Sequence, residues 1–310
     1  MKRNTAFLIN GGAGRVLCSI PAFELYEKEH PEDDFAIIVE GFLDLFKGHP
    51  SLYKRAYEFG HRRLFEDKLK NMNFISPEPY QVWEYYNQQA SISQAFDIII
   101  NNQGVRELPK PTIVLTTEEK LGGIETLKNI RKDFKNKKAI VFQPFGRGSN
   151  LHNTHVDNGG RSFLPEHAAK LIKRLQKKYC VIVMDEKQID FKALGCEEIV
   201  VQLTNMTLRR WMGVIAASSY FVGCDSVGQH MAHSLDIPST VVLGSTFKEN
   251  VTYDDKNVSI IDLAEGKKMY SPIRMCHNEI ADVNNEKLMQ LVDTDYDKII
   301  SSIEAGIIKV

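Results

Sequence analysis

Short β-type runs, several of them apolar throughout, recur along this chain with amphipathic stretches between them, and that alternation restricts the fold more than any other feature. The runs cover residues 5–10, 35–40, 112–116, 139–143, 180–184, 198–201, 220–223 and 240–244. Strands that are apolar throughout belong to parallel sheets covered by helices on both faces. Between them, residues 165–178 place Ala168, Leu171, Ile172 and Leu175 on one side at helical spacing. The pattern predicts a doubly wound α/β fold.

The alternation restarts once. The first series gives way to an aromatic, helix-rich region over 53–96 and ends near the proline-bounded segment 108–112. A charged helix over 118–133 then leads into Lys135-Asn136-Lys137-Lys138, and a new strand begins at Ala139. The expected division is a first domain of residues 1–135 and a second of 136–310, sizes suited to two domains. A last helix, expected over 284–303, is a candidate to cross back onto the first domain.

Charge and cysteine usage narrow the setting. Lysine plus arginine (39) and aspartate plus glutamate (40) nearly cancel, so no overall field draws the chain to nucleic acid or membrane. Cys18, Cys180, Cys196, Cys224 and Cys276 form no C-x-x-C pair, which favours reduced thiols over disulfides or a zinc site. The apolar stretch Ala6–Ile9 is too short for a signal-peptide core, and no segment approaches the ~20 residues that span a bilayer. A soluble, cytoplasmic protein is expected.

Three loops carry candidate chemistry. Gly11-Gly12-Ala13-Gly14 follows a strand and precedes a helix; Gly12 and Gly14 let backbone approach an anion, although a plain strand-to-helix turn has the same look. The third glycine of a dinucleotide fingerprint is replaced by Leu17, and Pro21 means that the helix either starts near Ser19 or kinks at Pro21. Gly223-Cys224-Asp225-Ser226-Val227-Gly228-Gln229-His230 follows another strand. Asp225 or Ser226 can cap the next helix, whose amides, with Ser226, Gly228 and His230, suit a diphosphate. The alternative is that Asp225 only caps and His230 sits in a polar interior. Gln143-Pro144-Phe145-Gly146-Arg147-Gly148 offers a guanidinium between two glycines, or a solvated arginine on a loose loop; Arg161 is a further phosphate candidate. Glu186, or its competitor Asp185, stands just past a strand, where a ribose hydroxyl is received. Met206 and Thr207 are candidates for a base pocket, and Trp83, Tyr85 and Tyr86 are either packed or a stacking surface for an acceptor.

The run Gly14-Arg15-Val16-Leu17-Cys18-Ser19-Ile20-Pro21-Ala22-Phe23 resembles the opening motif of family 9 glycosyltransferases, the ADP-heptose:lipopolysaccharide heptosyltransferases, which carry Gly-Asp-Val-Leu and then Leu-Pro-Ala. Val39-Glu40-Gly41-Phe42 is similar to the end of that family's second strand. Residues 203–244 resemble its C-terminal signature, through Met206-Thr207-Leu208, Ala216-Ala217-Ser218, Asp225, Ser226 and His230. Two departures stand out. Arg15 occupies the place of the family's proposed catalytic aspartate, and the glycine expected at Val227 comes one residue later, at Gly228.

The resemblance implies a GT-B architecture: two Rossmann-like doubly wound domains facing each other across a cleft, the C-terminal one binding a nucleotide-sugar. It implies an inverting, metal-independent transfer of a heptose or similar sugar from a nucleoside-diphosphate donor, such as an ADP-linked one, to a glycan or glycolipid hydroxyl such as that of a lipopolysaccharide core. Arg147, Ser226 and His230 would hold the diphosphate, and Glu186 the ribose. No cofactor besides the donor is expected, and no metal. His152 and His155 have no third ligand beyond Asp157, and Asp293-x-Asp295-x-Asp297, although similar to the metal motif of GT-A enzymes, reads as a solvated helix face. An arginine cannot serve as a base, so either another carboxylate, such as Glu40, supplies it, or Arg15 holds the leaving diphosphate and deprotonation comes late or through water. Two other functions fit the same residues: a bacteriophage-type transferase that glycosylates hydroxymethylated DNA bases, and a non-catalytic nucleotide-sugar-binding protein.

Overall fold

The computed structural model describes residues 4–146, 150–151, 154–155, 157, 159–270, 275 and 285–308. The chain divides into two compact units, Met1–Val114 with Ile273–Ile280, and Leu115–Pro272 with Ala281–Val310.

The first unit is built on a four-stranded parallel sheet. Its elements run β1 (Asn4–Ile9), α1 (Ala13–Glu29), β2 (Asp34–Val39), β3 (Ala56–Glu58), β4 (Asn73–Ile75), α2 (Trp83–Tyr86) and α3 (Ile92–Asn101). The strand order is β3-β2-β1-β4. β1 and β2 are almost wholly buried, as their unbroken apolar sequences require, and α1 packs beside α3. α1 runs from Ala13 through Pro21 to Glu29, so the helix starts at the glycine turn and not near Ser19. The opposite face of the sheet holds Ala6, Ala36 and Ile38 against Leu64. Gln81 Nε2 donates to the carbonyl of Met275 at 3.1 Å, which ties that late residue to this unit.

The second unit holds α4 (Thr117–Lys132), β5 (Ala139–Gln143), β6 (Asn150–Leu151), β7 (Thr154–His155), α5 (Pro165–Gln176), β8 (Cys180–Val183), β9 (Val201–Gln202), α6 (Leu208–Ala217), β10 (Tyr220–Cys224), α7 (Val227–Ser234), β11 (Ser239–Leu243), α8 (Lys248–Val251), β12 (Val258–Asp262) and α9 (Asp293–Ile308). Its six main strands are all parallel, in the order β12-β11-β10-β5-β8-β9. Counted from β5, that order is 6-5-4-1-2-3, the arrangement of a Rossmann sheet. β6 and β7 pair antiparallel as a separate two-residue ladder.

Three expectations about organisation change. The charged helix over 118–133 belongs to the second unit, which puts the division at Leu115, twenty residues before the basic connector. The cause is close packing of α4 on α6. Gly123 and Gly213 bring the two backbones so near that a methyl on Gly123 would land on the carbonyl oxygen of Gly213. Beside them Arg209 Nε donates to Glu119 Oε1 at 2.9 Å in a nearly buried ion pair. The last helix begins at Asp293 and not at 284, and it packs on β10, β11 and β12 of the second unit. Tyr296, Ile299 and Ile303 enter that core, and Gly306 lies against the Tyr220 ring. Residues 112–116 form no strand; Thr116 instead caps α4 in a reciprocal capping box with Glu119.

Among the described residues no helix is long and apolar enough to cross a membrane. Cys18, Cys180, Cys196 and Cys224 are free thiols in the core; Cys276 lies outside the described residues.

Candidate functional site

In an open parallel sheet, ligands bind beyond the carboxyl ends of two neighbouring strands whose connections run in opposite directions. The strand orders put that point between β1 and β4 in the first unit and between β5 and β10 in the second.

In the first unit the switch point is filled by Arg15. Its Nε donates to the Asn10 carbonyl at 3.0 Å and its Nη2 to Asn10 Oδ1 at 2.7 Å, both at the end of β1. Nη1 reaches Glu78 Oε1 at 2.9 Å, and Nη2 the Pro77 carbonyl at 3.5 Å, both just past β4. Tyr80 and Phe96 lie on the guanidinium at 4.9 and 5.5 Å. The side chain is 6% exposed and each nitrogen has a protein partner, so Arg15 stitches β1 to β4. Gly12 ends the turn as the N-cap of α1, and a side chain there would enter open space. Gly14 lies half-buried in the first turn of the helix. Gly11 has φ +85°, a left-handed conformation that suits glycine, and its amide donates to Glu40 Oε2 at 3.1 Å. Glu40 is exposed at the end of β2, a carboxylate held by the glycine turn. Trp83 and Tyr86 are exposed, while Tyr85 is packed.

In the second unit the switch point gathers several of the expected residues. Asp225 directly follows β10, and Ser226 is the N-cap of α7. Asp225 is buried; its Oδ1 accepts from Gln229 Nε2 at 2.8 Å, its Oδ2 lies 3.5 Å from Arg161 Nε, and its carbonyl accepts from Arg161 Nη2 at 2.9 Å. Gly146, past the end of β5, donates its amide to Ser162 Oγ at 3.0 Å; a methyl there would stand about 3.8 Å from Arg161 Nη2 and 3.9 Å from Ser226 Oγ. Arg161, a third of its side chain exposed, is thus the cation of this cluster. Arg147 and Gly148 lie outside the described residues, as does His152, and of the His155 side chain nothing is described. Gly228 is buried against Gln143 and the Phe221 ring, with no room for a side chain. Glu186 is exposed beyond β8 and Met206 half-buried between β9 and α6; among the described residues neither is hydrogen-bonded to the cluster. Three contributors had no role assigned from sequence: Gln143, Ser162 and Tyr253. Only the third dimension brings Gln143 and Tyr253 to α7 and Ser162 to Gly146.

His230, one turn into α7, is 7% exposed, with Nδ1 2.6 Å from the Tyr253 hydroxyl. His233 stacks on the same Tyr253 ring at 3.6 Å. Burial pushes the His230 pKa down to about 4, against the pull of Asp225. The ring is therefore neutral near pH 7 and acts as a dipole, not a cation. An unfolded chain binds a proton at this histidine below its ordinary value of 6.5, whereas the folded one refuses it until about 4. Stability from this group is complete above pH 6.5 and is lost as pH falls toward 4. Between pH 7 and 5 the wild type should lose about 2 kcal/mol more than His230→Gln, as read from urea melts at each pH. Parallel losses in the two proteins would refute the neutral, buried assignment.

The acidic run of α9 proves to be a surface ion-pair patch. Asp293 meets Lys170 at 2.9 Å and Arg174 at 2.7 Å, and Asp297 meets Arg174 at 3.0 Å. Among the described residues no group of three or more His, Cys, Asp or Glu is placed to hold a metal ion.

No protein-family model matches the sequence, and no curated protein matches it in sequence. Solved structures do match in fold. The ADP-heptose lipopolysaccharide heptosyltransferase II of E. coli aligns over 100% of this chain and 99% of its own, at 11% identity and a TM-score of 0.64. A family 9 glycosyl transferase from Veillonella parvula aligns over 99% and 98%, at 11% identity and a TM-score of 0.66. The E. coli heptosyltransferase WaaC with ADP aligns over 98% and 99%, at 16% identity and a TM-score of 0.56. Two parallel sheets, one in Rossmann order, and likeness to these enzymes from end to end give the chain the GT-B fold of the heptosyltransferases.

Proposed function

We propose that the chain is a glycosyltransferase that takes its sugar from a nucleoside-diphosphate donor and passes it to a glycan or glycolipid hydroxyl with inversion. The observation that carries this reading is the cluster between β5 and β10. A helix N-terminus, the Ser226 hydroxyl, the Gly146 loop and the Arg161 guanidinium meet at the one place in a Rossmann sheet where a phosphate is ordinarily bound. The neighbours support it: one is solved with ADP and again with ADP-2-deoxy-2-fluoro heptose. An ADP-linked heptose or a similar sugar is the donor class we infer.

In this reaction the bond between the anomeric carbon and the diphosphate oxygen breaks, and negative charge grows on the departing diphosphate. Arg161 supplies the counter-charge, fixed by Asp225, and the amides of α7 and Ser226 add dipoles already in place before the reaction. His230 contributes as a neutral group. The acceptor oxygen attacks the opposite face of the sugar and its proton passes to a carboxylate, for which Glu40 is the candidate. Glu186 and Met206 are proposed on the nucleoside side, and Arg147 as a second cation. Gly12 and Gly14 are proposed as backbone contacts in the first unit, where Arg15 is structural.

Titration with ADP, UDP and GDP, and then with the corresponding sugars, tests the reading. One nucleoside diphosphate should bind, and Arg161→Ala should weaken it about 10–100-fold while leaving the bare nucleoside within about twofold. Failure of all three nucleotides to bind would overturn it.

A further inference from the structure

Ser226 stands at the N-cap of α7, where a serine ordinarily turns its oxygen to accept an amide of the first helical turn. Here no such bond forms. The amide of Gly228 is taken instead by Gln143 Oε1 at 2.8 Å, reaching across from the end of β5. A backbone N–H can only donate, so the atom it meets is the amide oxygen of Gln143, and the other end of that side chain is its NH2. That NH2 donates to Ser226 Oγ at 3.1 Å. Gln143 is 7% exposed, so this pair of bonds is made out of water's reach.

We infer that Gln143 is a positioning residue, which caps α7 in place of Ser226 and thereby turns the Ser226 hydroxyl into a donor toward the diphosphate. With Oγ accepting from Gln143, and with no acceptor for the hydroxyl proton among the described residues, that proton remains to be given to an anion at the helix start. The arrangement also accounts for the displaced glycine. A side chain at 228 would collide with Gln143 Oε1 and the Phe221 ring, whereas Val227 faces no such demand, so the glycine belongs where Gln143 makes its bond. The inference rests on the diphosphate reading of this site and names the residue that orients one of its donors.

Gln143→Glu separates positioning from bulk. A carboxylate there still accepts from Gly228, so the cap survives, but its second oxygen can only accept and draws the Ser226 proton away from the ligand. Affinity for ADP, or for whichever of ADP, UDP and GDP the wild type binds, should fall about 10–100-fold. In a Ser226→Ala background the same substitution should cost less than about fivefold, the remainder being charge repulsion alone. Adenosine, or the matching nucleoside, should bind all four proteins within about twofold, which a general disturbance of the fold would not allow. If Gln143→Glu fails to fold by circular dichroism, Gln143→Met takes its place, with a loss of diphosphate affinity again expected only where Ser226 is present. Equal effects in the two backgrounds overturn the positioning role while leaving the diphosphate site intact. Absence of nucleotide binding in the wild type overturns the site, and the inference with it.

Discussion

Glu40→Gln is expected to slow sugar transfer by about 10²–10⁴-fold, the usual contribution of a general base, with nucleoside diphosphate affinity unchanged within about twofold. Glutamine keeps an oxygen for the Gly11 amide, which Glu40 Oε2 holds at 3.1 Å, so the turn before α1 is preserved and only the proton acceptor is removed. Release of nucleoside diphosphate in the presence of acceptor, followed over pH, is the measurement. A variant with full turnover would exclude Glu40 as the base. Arg15→Met is the companion to run beside it. Arg15 donates to Asn10, Pro77 and Glu78, so its loss cuts the bonds that join the end of β1 to the segment after β4 and should be read in the melting curve, not in diphosphate affinity.

The second large effect is one of stability, and two adjacent glycines should give it opposite signs. Gly123→Ala puts a methyl on the backbone of α6, where the Gly213 carbonyl and the Val214 amide leave no space. Neither obstacle is a side chain that can swing away, so α4 and α6 must separate, and the buried Arg209–Glu119 pair is stretched with them. Hydrogen bonding to Arg209 holds the Glu119 carboxyl down to about 2. A loss of at least about 3 kcal/mol is expected, between the cost of overpacking and that of breaking a buried ion pair. Gly122, one residue earlier, faces open solvent. Gly122→Ala should stabilise the helix by about 0.5–1 kcal/mol, the ordinary advantage of alanine. Urea melts of the two variants decide the matter; two small changes of like sign would mean that the helices are not in backbone contact.

Legibility followed the range of the interactions. β1, β2, β5, β8, β10 and β11 are central or heavily buried, so each carries a mainly apolar run and is easily read. β3 and β4 are edge strands of three residues, and all of β4 is exposed, so neither leaves a hydrophobic run. β12, half-buried at the other sheet's edge, was missed as well. The unit boundary was misplaced because the basic connector is a local signal, whereas Gly123 and Gly213 meet across ninety residues. The same holds for the sites. Asp225, Ser226 and His230 are legible because a helix start brings neighbouring residues together. The sequence shows Arg15 in an aspartate's place, but its partners Pro77 and Glu78 lie more than sixty residues on, and they decide that it is buried and bonded. Gln143 ends an apolar strand with nothing to mark it, and its importance rests on two bonds to residues over eighty positions away.

The packing of α9 bears on how the molecule is made. Strands that begin at Ala139 receive Tyr296, Ile299, Ile303 and Ile307 from the last sixteen-residue helix, and those side chains fill the same core as Val222 and Val242. A ribosome delivers the first unit's sheet early, and domains ordinarily fold as they emerge. The second unit's core must instead wait for α9, about thirty residues beyond β12, before it is filled. Lesions that remove α9 will therefore spoil the half of the protein that begins at Leu115, however far they fall from the proposed site.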